Sequence, residues 1–333
     1  MNESNLIEQL RGLLQERGGK ALEKARKLVL SETFDLKIIN EALHYFITEY
    51  WHDYTTPTLI FLGCEAFEGD PTRLEDLASA LVLVNGAIDI HDDIIDLSTQ
   101  KDGRQTVYGK FGKEVALLLS DALFVKGFIK LAESCQSLNV EVAKKVFDTL
   151  KKGFFELGEA EVSELKLRRR FDVDPEEYLK VMYKKAADIE ALMRVGAILA
   201  NANSNEIEIL GKYGRIVGLL SIIRDDIIDM TMWEELRHRI RYECLPIPLL
   251  YALGDPKTKT KLVKLLKKRK RKRDLEEICH LTHKAQGFKK ASSFMKKQVE
   301  EGEMIINKIG KDLPELHTIL NSLAVINIEG VEI

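Results

Sequence analysis

The residues of this chain best suited to chemistry gather in two acidic stretches. Residues 87–96, AIDIHDDIID, set Asp89, Asp92, Asp93 and Asp96 among isoleucines, and residues 221–230, SIIRDDIIDM, set Asp225, Asp226 and Asp229 in a similar frame. On an α-helix, residues four apart share a face, so Asp92 projects with Asp96 and Asp225 with Asp229, with Asp93 and Asp226 beside them. Neighbouring like charges cost a few tenths of a kcal/mol each on a helix. Carboxylates beside a core are tolerated when a cation offsets them. Hard oxygen ligands that leave positions for water suit Mg2+, which typically bridges protein carboxylates to substrate phosphates. Two such clusters facing one another across a bundle would hold several Mg2+ ions and clamp a diphosphate between them. A lone acidic stretch is commonly just a capped or wet helix end. Two copies, each closing an apolar helix, point to a site.

The elements that must carry these residues are helices. Only seven prolines occur, none of them between Pro71 and Pro175 or between Pro175 and Pro246. Long proline-free segments with apolar residues three and four apart read as helix. RLEDLASALVLVNGAIDIHDDIID (73–96) is apolar on nearly all sides up to Asp89, as expected of a helix at the centre of a bundle. EEYLKVMYKKAADIEALMRVGAILA (176–200) and IEILGKYGRIVGLLSIIRDDIIDM (207–230) read the same way. No sustained period-two alternation and no hairpin signal such as an Asn-Gly pair stands out. The expected fold is all-α, a single-domain bundle of long antiparallel helices spanning residues 1–333, with short loops near 67–73, 98–106, 168–177 and 252–258.

Composition narrows the class. Across 333 residues 45% are hydrophobic, enough for a substantial core, and the net charge of −3 offers no global attraction to nucleic acid. Cys64, Cys135, Cys244 and Cys279 are widely spaced and read as reduced thiols. The N-terminal residues do not read as a signal peptide, and no apolar run reaches a membrane span of about 18 residues. A cytoplasmic protein is the expectation, with at most peripheral membrane contact. The basic run Lys267–Arg273 reads as a solvated loop, with an anionic membrane surface or nucleic acid as its sharper readings. His280 and His283 lack a nearby third ligand and read as a surface pair, while Gly109 and Gly112 fit a helix entry.

The paired DDxxD stretches, with GKFG…ALLLSDAL after the first and LPIPLLYAL after the second, resemble the trans-isoprenyl diphosphate synthase (polyprenyl synthetase) family. The resemblance implies the isoprenoid synthase fold, an all-α bundle around a deep apolar pocket, usually homodimeric. It also implies Mg2+-assisted loss of diphosphate from an allylic prenyl diphosphate, with three Mg2+ ions. Metal ligands would be Asp92, Asp96, Asp225 and Asp229, with Asp93 and Asp226 in the same catalytic clusters. Cations for the departing diphosphate would be Lys101, Lys184, Lys185 and Arg224, although Arg224 reads equally well as an outward salt bridge. Val84, Ala87 and Ile88, beneath the first aspartates, would line the pocket with no aromatic plug. A substrate of roughly C15–C25 would fit.

The chain departs from the family pattern where isopentenyl diphosphate, the usual acceptor, would bind. The family's GGKRxRP segment reads WHDYTTP (51–57) here, and its Arg-Arg-Gly after the first motif reads Lys101-Asp102-Gly103. A second diphosphate needs cations, so Asp53 and Asp102 point to another acceptor. Trp51, His52 and Tyr54 would line the emptied site, and aromatic faces stabilise cations by roughly 0.5–2 kcal/mol. Ser221-Ile222 replaces the family's Phe-Gln, and Tyr242 stands where a lysine is expected, with Arg239 and Arg241 close by. Asp89 stands where the family carries an apolar residue. It is either a buried acid bonded to a neighbouring helix or a pocket carboxylate that steers a carbocation or takes its proton. The favoured expectation is a class I terpene synthase that does not use isopentenyl diphosphate. The alternatives are a prenyltransferase with a non-diphosphate acceptor, a regular isoprenyl diphosphate synthase, and a non-catalytic partner subunit. Retention of all six motif aspartates argues against the last.

Overall fold

The computed structural model describes residues 3–101, 103–268 and 271–325. Asp102 and residues 269–270 of the basic run lie outside the described residues, together with the readings placed on them. The described chain is helical except for one small hairpin. It gathers into two compact units. One comprises Arg11–Thr149 and Leu192–Ile207 and carries the first acidic stretch; the other comprises Met1–Leu10, Leu150–Ala191 and Glu208–Ile333 and carries the second. No described helix is long and apolar enough to cross a membrane.

In the first unit, helix Glu75–Ile95 runs along helix Lys113–Cys135 as its principal neighbour. The approach is close because Gly127 lacks a side chain: a Cβ there would lie 2.7 Å from Val84 Cγ2 and 3.0 Å from the Ala80 carbonyl. Ser120 adds a hydrogen bond to the Ala87 carbonyl at 2.8 Å. Phe46, Trp51, Leu83, Ile90, Leu119 and Leu123 fill the space around this pair.

A short 3-10 turn, Pro71–Leu74, leads into the acidic helix, and Asp70 caps that turn by accepting from Thr72 N. The helix ends at Ile95, with the third motif aspartate, Asp96, as its C-cap. Ser98 N bonds back to the Asp93 carbonyl (2.8 Å) and Leu97 N to the Ile94 carbonyl (3.4 Å), while Leu97 adopts the left-handed region at φ 58°. This is a Schellman termination with leucine where glycine is usual. It reverses the chain, so Gln100–Lys101 returns beside the aspartates and pairs antiparallel with Arg104–Gln105. The expectation of no hairpin is thereby corrected. Asp102-Gly103 is itself a strong turn signal, overlooked because only two residues flank it on each side.

The second unit takes helix Ser204–Asp229 from Glu208 onward; the helix is buried along most of its length, and Tyr213 donates to the Leu316 carbonyl at 2.9 Å. Asp174-Pro175 and Asp255-Pro256 each open a helix, the aspartate accepting from the backbone two residues on. Residues 176–200 form two helices rather than one. Helix Pro175–Lys185 stops at Ala186 before Ala187–Leu199 begins. The break leaves carbonyls that Arg215 takes up, its Nη1 lying 2.7 Å from the Tyr183 oxygen.

Candidate active site

Asp92, Asp93 and Asp96 occupy the last turn and end of helix Glu75–Ile95, but their environments differ. Asp93 is buried, with 2% of its surface exposed, and its Oδ1 lies 2.8 Å from Lys101 Nζ. Lys101 also approaches Asp92 Oδ2 at 3.6 Å. The hairpin therefore delivers a resident cation to the acidic cluster. Asp92 and Asp96 stay half-buried with solvent beside them. Burial and Asp93 together hold the Tyr50 hydroxyl above the usual phenol range.

One turn earlier, Asp89 Oδ2 accepts from Trp51 Nε1 at 2.5 Å. Asp89 is recessed within the protein yet keeps contact with solvent, and burial pushes its carboxyl up to about 7. Asp53 and Asp92 push the same way, while Lys101 and the Trp51 N–H pull it down. Trp51 does not line an open site as expected. It is 7% exposed and stacked on Phe46, with centroids 5.1 Å apart. A helix ending in a π-helical turn, Tyr45–Tyr50, delivers it, with Trp51 N bonded to the Phe46 carbonyl. Gly86 on the acidic helix leaves room for the indole: a Cβ there would lie 3.0 Å from Trp51 Cη2.

Asp53 is a buried carboxylate that accepts from Thr56 N (2.9 Å) and Asn85 Nδ2 (3.1 Å), and burial raises its pKa. It closes the start of helix Thr55–Glu65, a structural task the sequence pattern did not reveal. Tyr54 and Ile88 are half-buried. Val84 and Ala87 are buried, with Val84 lying against Gly127 of helix Lys113–Cys135. Asn85 and Ile88 are the half-buried residues beside them on the same helix.

In the second motif, Asp225 is exposed, Asp229 is half-buried and Asp226 is 1% exposed. Asp226 Oδ1 lies 2.5 Å from Arg239 Nη2, and its Oδ2 accepts from Ile247 N at 2.7 Å. Arg239 further reaches Asp229 (3.4 Å), the Tyr178 hydroxyl (3.0 Å) and Glu243 (3.1 Å). Burial pushes Asp226 up to about 7, opposed by Arg239. Arg239 was noted in the sequence only by its position; its contacts to Asp226 and Tyr178 were not legible there. Its signal was faint, one of two cations near a missing lysine.

The remaining candidates are also placed. Lys184 pairs with Glu159 at 2.6 Å, and Lys185 with Glu164 and Glu161 at 2.7 and 3.0 Å, so helix Val140–Leu165 already engages both ammonium groups. Arg224 is half-buried and makes no ion pair among the described residues. Ser221 and Ile222 are half-buried on the same helix. Asp188, not foreseen from the sequence, is raised by burial to about 6.

Among the described residues no three His, Cys, Asp or Glu side chains form a cage able to hold a metal alone. Asp92 with Asp96, and Asp225 with Asp229, are hard oxygen donors at helix ends with solvent beside them. Such pairs fit Mg2+, which keeps waters and takes further ligands from substrate phosphates.

The profile of the family described as polyprenyl synthetase matches residues 37–282. The short chain isoprenyl diphosphate synthase of Methanothermobacter thermautotrophicus is 34% identical over 180 residues, covering 54% of each chain. The geranylgeranyl diphosphate synthase of Methanosarcina mazei is 31% identical over 186 residues, covering 56% of this chain and 57% of its own. These matches span little more than half the length of those curated relatives. The structure of geranylgeranyl pyrophosphate synthetase from Pyrococcus horikoshii superposes with a TM-score of 0.83 at 24% identity, covering 95% of this chain and 98% of that one. Polyprenyl synthase from Caulobacter crescentus, solved with calcium and isoprenyl diphosphate, gives 0.77 at 18% identity, covering 94% and 97%. These structural likenesses establish the isoprenoid synthase fold. With a family profile running through both acidic motifs and well over half the sequence, the chain belongs to the polyprenyl synthetase family.

Proposed function

We propose that this chain ionises an allylic prenyl diphosphate and transfers the resulting cation to an acceptor, as an isoprenyl diphosphate synthase. The observation that carries this reading is the arrangement of the first motif. Asp92 and Asp96 stand half-buried one turn apart, with solvent beside them, backed by the buried Asp93–Lys101 pair. Asp92, Asp96, Asp225 and Asp229 would hold Mg2+, which when bound offsets the charge growing on the departing diphosphate. Lys101 and Arg224 add fixed positive charge near the motifs that carry those ligands. The relatives, all isoprenyl diphosphate synthases by description, support prenyl transfer over cyclisation.

A second reading rests on Asp53. Where the family pattern places acceptor-binding cations, a buried carboxylate is committed to a helix start and to Asn85. That chemistry favours an acceptor without a diphosphate, or the substrate's own double bonds, as in a class I terpene synthase. We also infer that a second copy of the chain covers Leu118, Val125 and Ile129. These residues are exposed on helix Lys113–Cys135 and recur at helical spacing.

One assay separates these outcomes. Purified protein and Mg2+ are incubated with geranyl, farnesyl, geranylgeranyl and geranylfarnesyl diphosphates, with and without isopentenyl diphosphate. A longer prenyl diphosphate that requires isopentenyl diphosphate is the expected result. Hydrocarbon or alcohol from the allylic substrate alone supports the second reading. Absence of diphosphate release from every substrate overturns both.

A further inference from the structure

Asp93 is taken up by Lys101, and one turn before the motif stands a further carboxylate, Asp89. Asp89 shares the helix face of Asp92 and Asp96 and sits one turn beneath them, recessed but in contact with solvent. Its Oδ2 is held by the Trp51 indole N–H at 2.5 Å, and Oδ1 has no hydrogen bond among the described residues. The indole is itself immobilised, buried against Phe46 and lying across Gly86. A carboxylate with one oxygen tethered and the other open is aimed.

We propose that Asp89 is the proton acceptor that ends the reaction, with Trp51 as its positioning residue. This rests on the allylic ionisation reading but not on the choice between transfer and cyclisation, since both end in loss of a proton. The allylic C–O bond breaks and its electron pair leaves with the diphosphate. A double bond, from the acceptor or from the substrate's own chain, then gives its pair to the allylic carbon, moving the positive charge to a neighbouring carbon. Asp89 Oδ1 takes a proton from a carbon next to that charge, and the C–H pair becomes the new double bond. The neutral acid returns its proton to water.

The surroundings suit this task. Lys101 from the hairpin, Asp53 and Tyr50 from the segment around Trp51, and Asp92 on the same helix all act on Asp89 or lie close to it. Burial, the largest influence, makes it a stronger base than a surface carboxylate.

The test uses the full chain with Mg2+ and the allylic diphosphates above, and follows diphosphate release and carbon products separately. In Asp89→Asn, diphosphate release should persist while olefinic product falls by about 10²-fold or more, replaced by prenyl alcohol from water. Equal loss of release and product, or an unchanged product pattern, would overturn the proposal. Trp51→Phe keeps the carboxylate and removes its donor, and decides the matter if Asp89→Asn does not fold by circular dichroism. An N–H donor favours the ionised form, so the acid limb of the kcat profile should move to higher pH in Trp51→Phe. An acid limb that stays in place would overturn the assignment. Failure of the parent protein to release diphosphate would instead remove the ionisation reading itself.

Discussion

Arg239 Nη2 lies 2.5 Å from Asp226 Oδ1, and the opposite oxygen of the same carboxylate accepts from Ile247 N. Asp226 thus joins the second acidic helix to the segment that follows Pro246. Arg239→Met should strand a buried carboxylate and cost about 3–5 kcal/mol. Asp226→Asn should cost less, because Arg239 keeps Asp229 and Glu243. Urea unfolding of both variants checks the order, and a reversed order would contradict it.

The first motif divides its aspartates differently. Asp92→Ala should abolish activity while leaving stability within about 0.5 kcal/mol of the parent, as for other solvent-facing changes. Asp93→Ala removes a buried partner of Lys101 and should cost about 1–3 kcal/mol. Paired kinetic and thermal-melt measurements test this; equal destabilisation by the two changes would argue against distinct roles.

Asp89 predicts a pH signature in stability. Its folded pKa of about 7 stands above the ordinary value of 3.8, so between those limits the folded state binds more protons than the unfolded state. Its contribution is fully present below the unfolded value and is lost as pH rises through about 7. Asp89→Asn removes this dependence, so the variant should gain on the parent between pH 5 and pH 8. Denaturation midpoints at several pH values measure the gap; parallel curves would show that Asp89 titrates normally.

Gly86 makes room for the Trp51 indole. Gly86→Ala gains up to about 1 kcal/mol of helix propensity but places a methyl 3.0 Å from Trp51 Cη2 and 3.1 Å from Phe46 Cε1. Overpacking costs about 1–3 kcal/mol, so net destabilisation is expected. In a Trp233→Phe background, tryptophan emission should shift to longer wavelength as the indole loosens. Unchanged emission and stability would show that the site is slack.

The exposed face of helix Lys113–Cys135 gives a prediction about assembly. Replacing Leu118 and Val125 by glutamate should convert a dimer to monomers in sedimentation velocity. A parent protein that already sediments as a monomer would remove the inference of a covering copy.

Long periodic segments made the helices legible, and the two acidic stretches were visible because isoleucine and aspartate alternate there against expectation. The break at Ala186 was not legible, since what stabilises it is Arg215, a side chain distant in sequence. Division of labour among the aspartates was hidden for the same reason. Asp92 and Asp93 are adjacent and identical, and only Lys101, arriving through a reversed chain, distinguishes them. The burial of Val84 and Ala87 was not legible because a helix apolar on all sides does not announce which side meets a neighbour. Trp51 read as a free aromatic wall because its partner, Asp89, lies 38 residues away.

Helices Glu75–Ile95 and Ser204–Asp229 both bring their aspartates to their C-terminal ends. The aligned peptide dipoles leave about half a negative charge at that end, and each acid there is disfavoured by roughly 0.3–1 kcal/mol. The protein therefore carries a standing electrostatic debt at both motifs, only partly offset by Lys101 and Arg239. Any divalent ion that binds the folded chain alone relieves it and stabilises by mass action. Folding stability should rise with free Mg2+, most steeply with inorganic diphosphate present, so the melting temperature becomes a direct gauge of how fully the two acidic helix ends are occupied.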